Sequence, residues 1–387
     1  MKRIQSIDFV RGLVVIIMTL DHTRDFMHFN PLEQNPTDLA TTTPALFMTR
    51  WITHLCAPTF VFLSGTSAFL SFKQQDNVAM QRIFLLKRGI WLIILNFTIN
   101  NFGIFFDPYF SVFFSQVIAA IGFGFIALSL LLQLSVRTIG IIGLVIIAVH
   151  NLLQGISFPQ NQYLDILWTF LMGVGYFQII LSTGLLISYA IIPWTAILLA
   201  GFAFGHFITA SNVTISKRIF LLGLSTFILF LILRLLNMYG DPAPWSVQKN
   251  GLFTFLSFIN TTKQPPSLLF VLMTLSIALL LLGYATTLQN RFTKWVSVYG
   301  KVPLFYWLLH WYVLHLVAIA YYYSKGYRWA DLQFKGFGFG RPVDGNGMNL
   351  IQLYATWMAV VLLLYPIMLW YGQYKMKNKD KKWLRYL

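Results

Sequence analysis

Residues 6–28 read SIDFVRGLVVIIMTLDHTRDFMH. The apolar run at 9–27 is long enough to cross a bilayer as a helix, yet it begins and ends among ionisable groups. Asp8 and Arg11, three apart, share a face near one edge. At the other end Asp21 and Asp25, Arg24 and His28, and His22 and Asp25 are spaced three or four apart, so each pair lies on one helix face. Arg11 and His22 are close to three full turns apart and share a face about 16 Å apart along the axis. Charge inside a span is costly and marks a function or a buried pair. The polar start and the lack of a small-residue cleavage site mark a retained first helix, not a secretory leader.

The rest of the chain follows the same pattern. Of its 387 residues 57% are hydrophobic, 17% aromatic and only 10% charged, against roughly 25% charged in a soluble domain. Apolar runs of about 20 residues fall near 9–27, 47–72, 82–105, 112–133, 138–156, 186–207, 218–237, 267–287, 298–323 and 349–372. The expected fold is therefore all-α: a polytopic membrane helix bundle of about ten spans, with both termini cytoplasmic. Residues 163–181 are also apolar but are broken by Gly173 and Gly175, and read as interfacial or re-entrant. On this topology eighteen of the 28 Lys and Arg, but only three of the 12 acids, fall inside. That is a strong positive-inside bias. It assigns the net charge of +16 to topology and anionic lipid heads, not to nucleic acid. No Gly/Ser linker divides the chain, so residues 1–374 read as one transmembrane domain and 375–387 as a basic cytoplasmic tail. Asn212-Val-Thr and Asn260-Thr-Thr match a glycosylation sequon, a match common by chance.

The second span opens with TRWITHLCAPTF, residues 49–60. Arg50 and His54 share a face there, and Pro58 is expected to kink the helix. The ninth span adds His310 and His315, which point about 140° apart and form no joint site on one helix. Asp21, His22, Arg50 and His54 together call for a shared polar cavity in the outer half. A hydrogen-bonded packing role for each histidine stays open beside a catalytic one. No His–His pair at i,i+4 and only one cysteine, Cys56, argue against a metal site, and the same cysteine count rules out an intramolecular disulfide. No P-loop and no nucleophile elbow occurs.

These first two spans resemble the catalytic family of heparan-α-glucosaminide N-acetyltransferase, in its bacterial branch. The resemblance lies in SIDFVRGLVVIIMTLDH (6–22), PTDL (36–39) and TRWITHLCAPTFVFLSGTSAF (49–69). It continues in IIPWTAILLAGFAFG (191–205), LNMYGDPAPW (236–245), NTTKQPPSLLFVLMTL (260–275), GKVPLFYWLLHWYVLH (300–315), LLLYPIMLWY (362–371) and the closing WLRYL. It implies an integral membrane acyltransferase of the plasma (inner) membrane. The acetyl group would move from cytoplasmic acetyl-CoA to an amino-sugar or glycan acceptor outside, with no metal; a homodimer is implied by analogy. The family's catalytic histidine maps to His22 or His28.

Acyl transfer needs a base, a group that orients it, and donors for the oxyanion. On the resemblance, His22 is the expected base, oriented by Asp21 or Asp25. Arg50 and His54 would supply positive charge near the carbonyl. Arg11, Arg82, Lys87, Arg88, Lys217, Arg218 and Lys301 are the cytoplasmic cations available to the phosphates of CoA. Direct transfer and an acyl-histidine route both remain open. The rival reading is a proton-coupled small-molecule transporter whose embedded Asp, His and Arg form a proton relay.

Overall fold

The computed structural model describes residues 4–29, 35–74, 77–158, 160–180, 183–209, 215–288 and 290–386. Lys2, Arg3, Asp76 and Asn212, which entered the reading of charge and sequons, lie outside these residues. In chain order the elements are α1 (Gln5–Met27), α2 (Pro44–Thr53), α3 (Cys56–Phe72), α4 (Val78–Leu95) and, after a π-helical turn (Asn96–Asn100), α5 (Asn101–Phe105). Next come β1 (Val112–Ser115), α6 (Val117–Leu131), α7 (Val136–Val149), α8 (Gln162–Met172), β2 (Gly175–Ile180) and β3 (Thr183–Ile187). The chain continues through α9 (Ile191–Thr209), α10 (Ile215–Leu236), α11 (Gly251–Ile259) and α12 (Leu268–Ala285). It ends with α13 (Arg291–Lys301), α14 (Pro303–Ser324), β4 (Leu332–Gln333), β5 (Arg341–Pro342) and α15 (Leu350–Lys377).

The fold is mostly helical, as expected, and among the described residues seven helical stretches are long and apolar enough to cross a membrane, one of them α2 and α3 taken together over Pro44–Phe72. Three apolar runs depart from the sequence reading, and the broken segment at 163–181 gains strands that the reading did not foresee. The run at 47–72 is two helices, with the break at His54 and Leu55 instead of at Pro58. A proline ring clashes with the carbonyl four residues earlier, here that of His54, so the helix fails one turn before the proline. The run at 112–133 begins as a strand and becomes helical only at Val117, and 186–207 likewise begins as the end of β3. Residues 163–181 form no continuous helix: α8 stops at Gly173 and the chain turns into the antiparallel hairpin β2–β3, joined by β1 in the order β1-β3-β2. Apolar β-branched and aromatic residues suit either state, so hydropathy alone did not separate them.

The chain forms two compact units. One holds residues 1–6, 57–97 and 113–288. Small residues set its helix crossings. A Cβ on Gly65 would meet the Leu198 carbonyl oxygen at 1.9 Å, and one on Gly201 the Phe62 carbonyl oxygen at 1.9 Å. α3 and α9 thus touch backbone to backbone, the packing small residues allow in membranes, and Thr66 donates across the contact to the Gly201 carbonyl at 3.0 Å. Gly89 and Gly122 play the same part between α4 and α6. Arg234 is buried at the end of α10, where its guanidinium donates to the carbonyls of Ala243, Ser257, Phe258 and Asn260.

The other unit holds residues 7–56, 98–112 and 289–387, hence α1, α2, α5, α13, α14 and α15. Here a Cβ on Gly12 would lie 2.1 Å from the Val296 carbonyl oxygen, and one on Gly300 1.8 Å from that of Asp8. α1 and α13 therefore cross in direct contact. Trp357 on α15 donates its indole N–H to the Ile16 carbonyl of α1 at 2.7 Å, and the Met348 N–H bonds to the Met27 carbonyl at 2.5 Å. α1 is held along its length, which positions its ionisable C-terminal end.

Candidate active site

The centre of the second unit is a ring cluster around His22. His22 Nδ1 lies 2.7 Å from Nε2 of His310, on α14. The His22 ring stacks on Trp311 at 3.9 Å between centroids, lies 4.9 Å from the His310 ring, and meets Trp307 edge-on at 5.6 Å. The 3.6-residue period puts residues 307, 310, 311 and 314 of α14 on one face. The sequence reading did not place His310 beside His22 as a catalytic pair; His315, its neighbour in that reading, points elsewhere: His315 Nε2 is 3.0 Å from the Ile104 carbonyl, between the rings of Phe26 and Phe106.

The hydrogen-bond partners set the tautomers. His310 Nδ1 lies 3.1 Å from the Tyr306 carbonyl, and a carbonyl oxygen only accepts. So Nδ1 of a neutral His310 carries the hydrogen and Nε2 carries the lone pair. His22 must then donate from Nδ1, which puts the lone pair of a neutral His22 on Nε2. That nitrogen can take a proton or attack a carbonyl. His310 stands where a triad has its carboxylate, fixing the tautomer and accepting from the imidazolium that forms. Tyr306 itself is fully buried, its hydroxyl 2.6 Å from Thr19 Oγ1 one turn below His22.

The remaining expected site residues divide into groups. Asp21 is buried and bridged by two arginines: Arg24 Nη2 lies 3.0 Å from Asp21 Oδ1, and Arg50 Nη1 bonds to Asp21 Oδ2. Arg24 Nη2 also meets Asp25 Oδ1 at 2.6 Å. The fold thus joins Asp21 to Arg50 and places Arg24 between the two carboxylates. Such a network fixes the last two turns of α1, which carry His22. His54 is buried at the C-cap of α2. His28 is buried just past α1, its ring 4.3 Å from that of Phe29 and its backbone in a bridge with Met348. Burial lowers its pKa below 6.5, partly offset by a backbone hydrogen bond at Phe29, with Arg24 lowering it further. Six residues of helix put it about 9 Å beyond His22 along the axis.

Of the expected phosphate-binding cations, Arg11 and Lys301 belong to this unit. Arg11 Nη1 is 3.8 Å from Asp8 Oδ1 and 3.4 Å from the Gly300 carbonyl, next to Lys301. Arg82, Lys87, Arg88, Lys217 and Arg218 belong to the first unit. There Arg82 donates to the Ser129 carbonyl at 3.0 Å and Arg88 lies over the Phe125 ring, while Lys87, Lys217 and Arg218 are exposed. Among the described residues no group of three or more His, Cys, Asp or Glu is arranged to hold a metal ion.

Reasoning from sequence missed His310, Trp307 and Trp311 as members of the site. The available signal was the i,i+3,i+4 spacing of two indoles and one imidazole on a single helix face, beside a first span that also carried a histidine.

Residues 3–238 match the family described as heparan-alpha-glucosaminide N-acetyltransferase, catalytic. His310 lies beyond the matched stretch. No curated protein matches the chain. With well over half of its length matched, including both arginines and both carboxylates around His22, the chain belongs to the heparan-alpha-glucosaminide N-acetyltransferase catalytic family, a family of membrane N-acetyltransferases.

Proposed function

We propose that the protein takes an acetyl group from acyl-CoA on the cytoplasmic side and passes it to an amine or hydroxyl of an amino sugar or glycan outside, with His22 as the catalytic base. The observation that carries this reading is the His22–His310 hydrogen bond backed by the Tyr306 carbonyl, which leaves a proton-accepting nitrogen on His22. His22 rather than His28 takes the base role, because only for His22 does a second side chain fix the tautomer. Asp21, Arg24 and Arg50 are then a brace for the base and not its orienting carboxylate. Arg11, about 16 Å down the same helix, and Lys301 at the end of α13, next to the Gly300 carbonyl that Arg11 meets, supply positive charge for CoA phosphates while its pantetheine arm reaches up toward His22.

The proton relay of a transporter is less favoured, because the family is one of transferases. The test is release of free CoA thiol from acetyl-CoA by purified protein, with glucosamine as acceptor. Substituting His22→Ala should abolish transfer, whereas His28→Ala and His54→Ala should keep most of it. A folded His22→Ala protein with an unchanged rate would end the reading.

A further inference from the structure

Three buried side chains beside His22 form one group: Asn100 is hydrogen-bonded to Trp307, and Trp307 meets Trp311 edge-on at 6.0 Å. Asn100 closes the π-helical turn before α5, a backbone irregularity that recurs at functional sites. It is fully buried, and its Oδ1 accepts from Trp307 Nε1 at 2.7 Å. An indole N–H only donates, so Asn100 must turn its oxygen to Trp307 and its NH2 away. Among the described residues that Nδ2 has no hydrogen-bond partner. Trp311, 3% exposed, stacks on His22, and its Nε1 is likewise buried without a partner. Buried donors are normally paired, and leaving two unpaired in one cluster is costly. Both are donors, neither is charged, and both belong to the cluster that holds the base. An acceptor oxygen arriving with a substrate would satisfy both.

We propose that Asn100 Nδ2 and Trp311 Nε1 are the oxyanion donors of the transfer. This rests on the reading of His22 as base. The acceptor's nitrogen or oxygen gives its proton to His22 Nε2 and attacks the thioester carbonyl carbon. The carbonyl π pair moves onto oxygen, and the N–H groups of Asn100 and Trp311 hold that oxyanion. As it collapses, the carbon–sulfur bond breaks, and the departing thiolate takes the proton from His22 to leave as CoA thiol. Preorganised donors aimed at a developing charge in a site that excludes water lower its barrier with no reorganisation.

Trp311→Phe keeps the stacked ring and deletes only the N–H. Asn100→Asp keeps the oxygen that Trp307 needs and deletes the amide donor. Each should lower kcat for thiol release from acetyl-CoA, with glucosamine present, by about 100-fold or more, with the KM for acetyl-CoA within about threefold, since ground-state binding is untouched. A purely structural role would instead lower the thermal midpoint and leave the kcat of the folded fraction unchanged. If His22→Ala abolishes release but both donor variants keep the unaltered kcat, the oxyanion assignment is wrong and the base assignment stands. If His22→Ala keeps the rate, or the unaltered protein releases no thiol, both fall.

Discussion

His22 and His310 are 288 residues apart in sequence and 2.7 Å apart in space. Through two hydrogen bonds the Tyr306 carbonyl sets the tautomer of His310, and His310 sets that of His22, which leaves the His22 lone pair on Nε2.

His310→Ala should therefore cost much of the rate while sparing the binding of acetyl-CoA. Removing the group that orients a catalytic histidine costs up to about 10⁴-fold in a serine protease. A loss of about 100-fold or more in kcat is expected, read from thiol release. His310→Ala activity within about threefold of the unaltered protein would show that the imidazole pair is a packing contact.

Tyr306 contributes its carbonyl to this chain and its hydroxyl to Thr19. Tyr306→Phe keeps the first and deletes the second. It should destabilise the fold by about 1 kcal/mol, seen in the thermal midpoint, and leave kcat nearly unchanged. A large loss of kcat at unchanged stability would mean that the hydroxyl, not the carbonyl, serves the histidines.

Asp21 and Arg50 form a bridge across α1 and α2, with side chains 10% and 20% exposed. Removing one partner leaves a largely buried charge, and the cost in such cases is about 3 kcal/mol. Arg50→Gln should lower the thermal midpoint clearly, and Asp21→Asn combined with Arg50→Gln should recover part of the loss. A double variant no better than Arg50→Gln alone would show that Arg24 already neutralises Asp21.

Gly300 meets the Asp8 backbone so closely that any Cβ collides with an oxygen. Gly300→Ala should push α1 away from α13 and reduce both stability and transfer, since Arg11 and His22 lie on the displaced helix. Gly251, with open space where its Cβ would go, is the control, and Gly251→Ala should be silent in the same assays.

In the loop after α14 the Tyr327 hydroxyl donates to Asp344, and that bond, with the Asn346 backbone N–H, holds the carboxyl below its usual 3.8. A depressed carboxylate contributes stability above its unfolded value, and the contribution is lost as pH falls through the folded value. The loop should stay closed to pepsin until the pH drops below 3.8. Tyr327→Phe should shift the onset of cleavage to higher pH. Identical profiles for the two proteins would sever the carboxyl from the loop's order.

Much of the architecture was legible in the residues alone. Apolar runs of bilayer length and charge placed at their ends specify a helical membrane protein, because a backbone in lipid must satisfy its own hydrogen bonds. The pairing of Arg11 with Asp8 was legible too, since spacing on one helix fixes which side chains are neighbours; Arg24, read as a neighbour of His28, pairs with Asp21 and Asp25. Tertiary structure alone decided the partners of His22, the bridge from Asp21 to Arg50, and the strands inside two apolar runs. Helix periodicity orders residues within an element but carries no record of which element packs beside it. The meeting of α1 with α14 depends on where small residues let backbones touch and on the many side chains that fill the space between, so it exists only once the chain has folded.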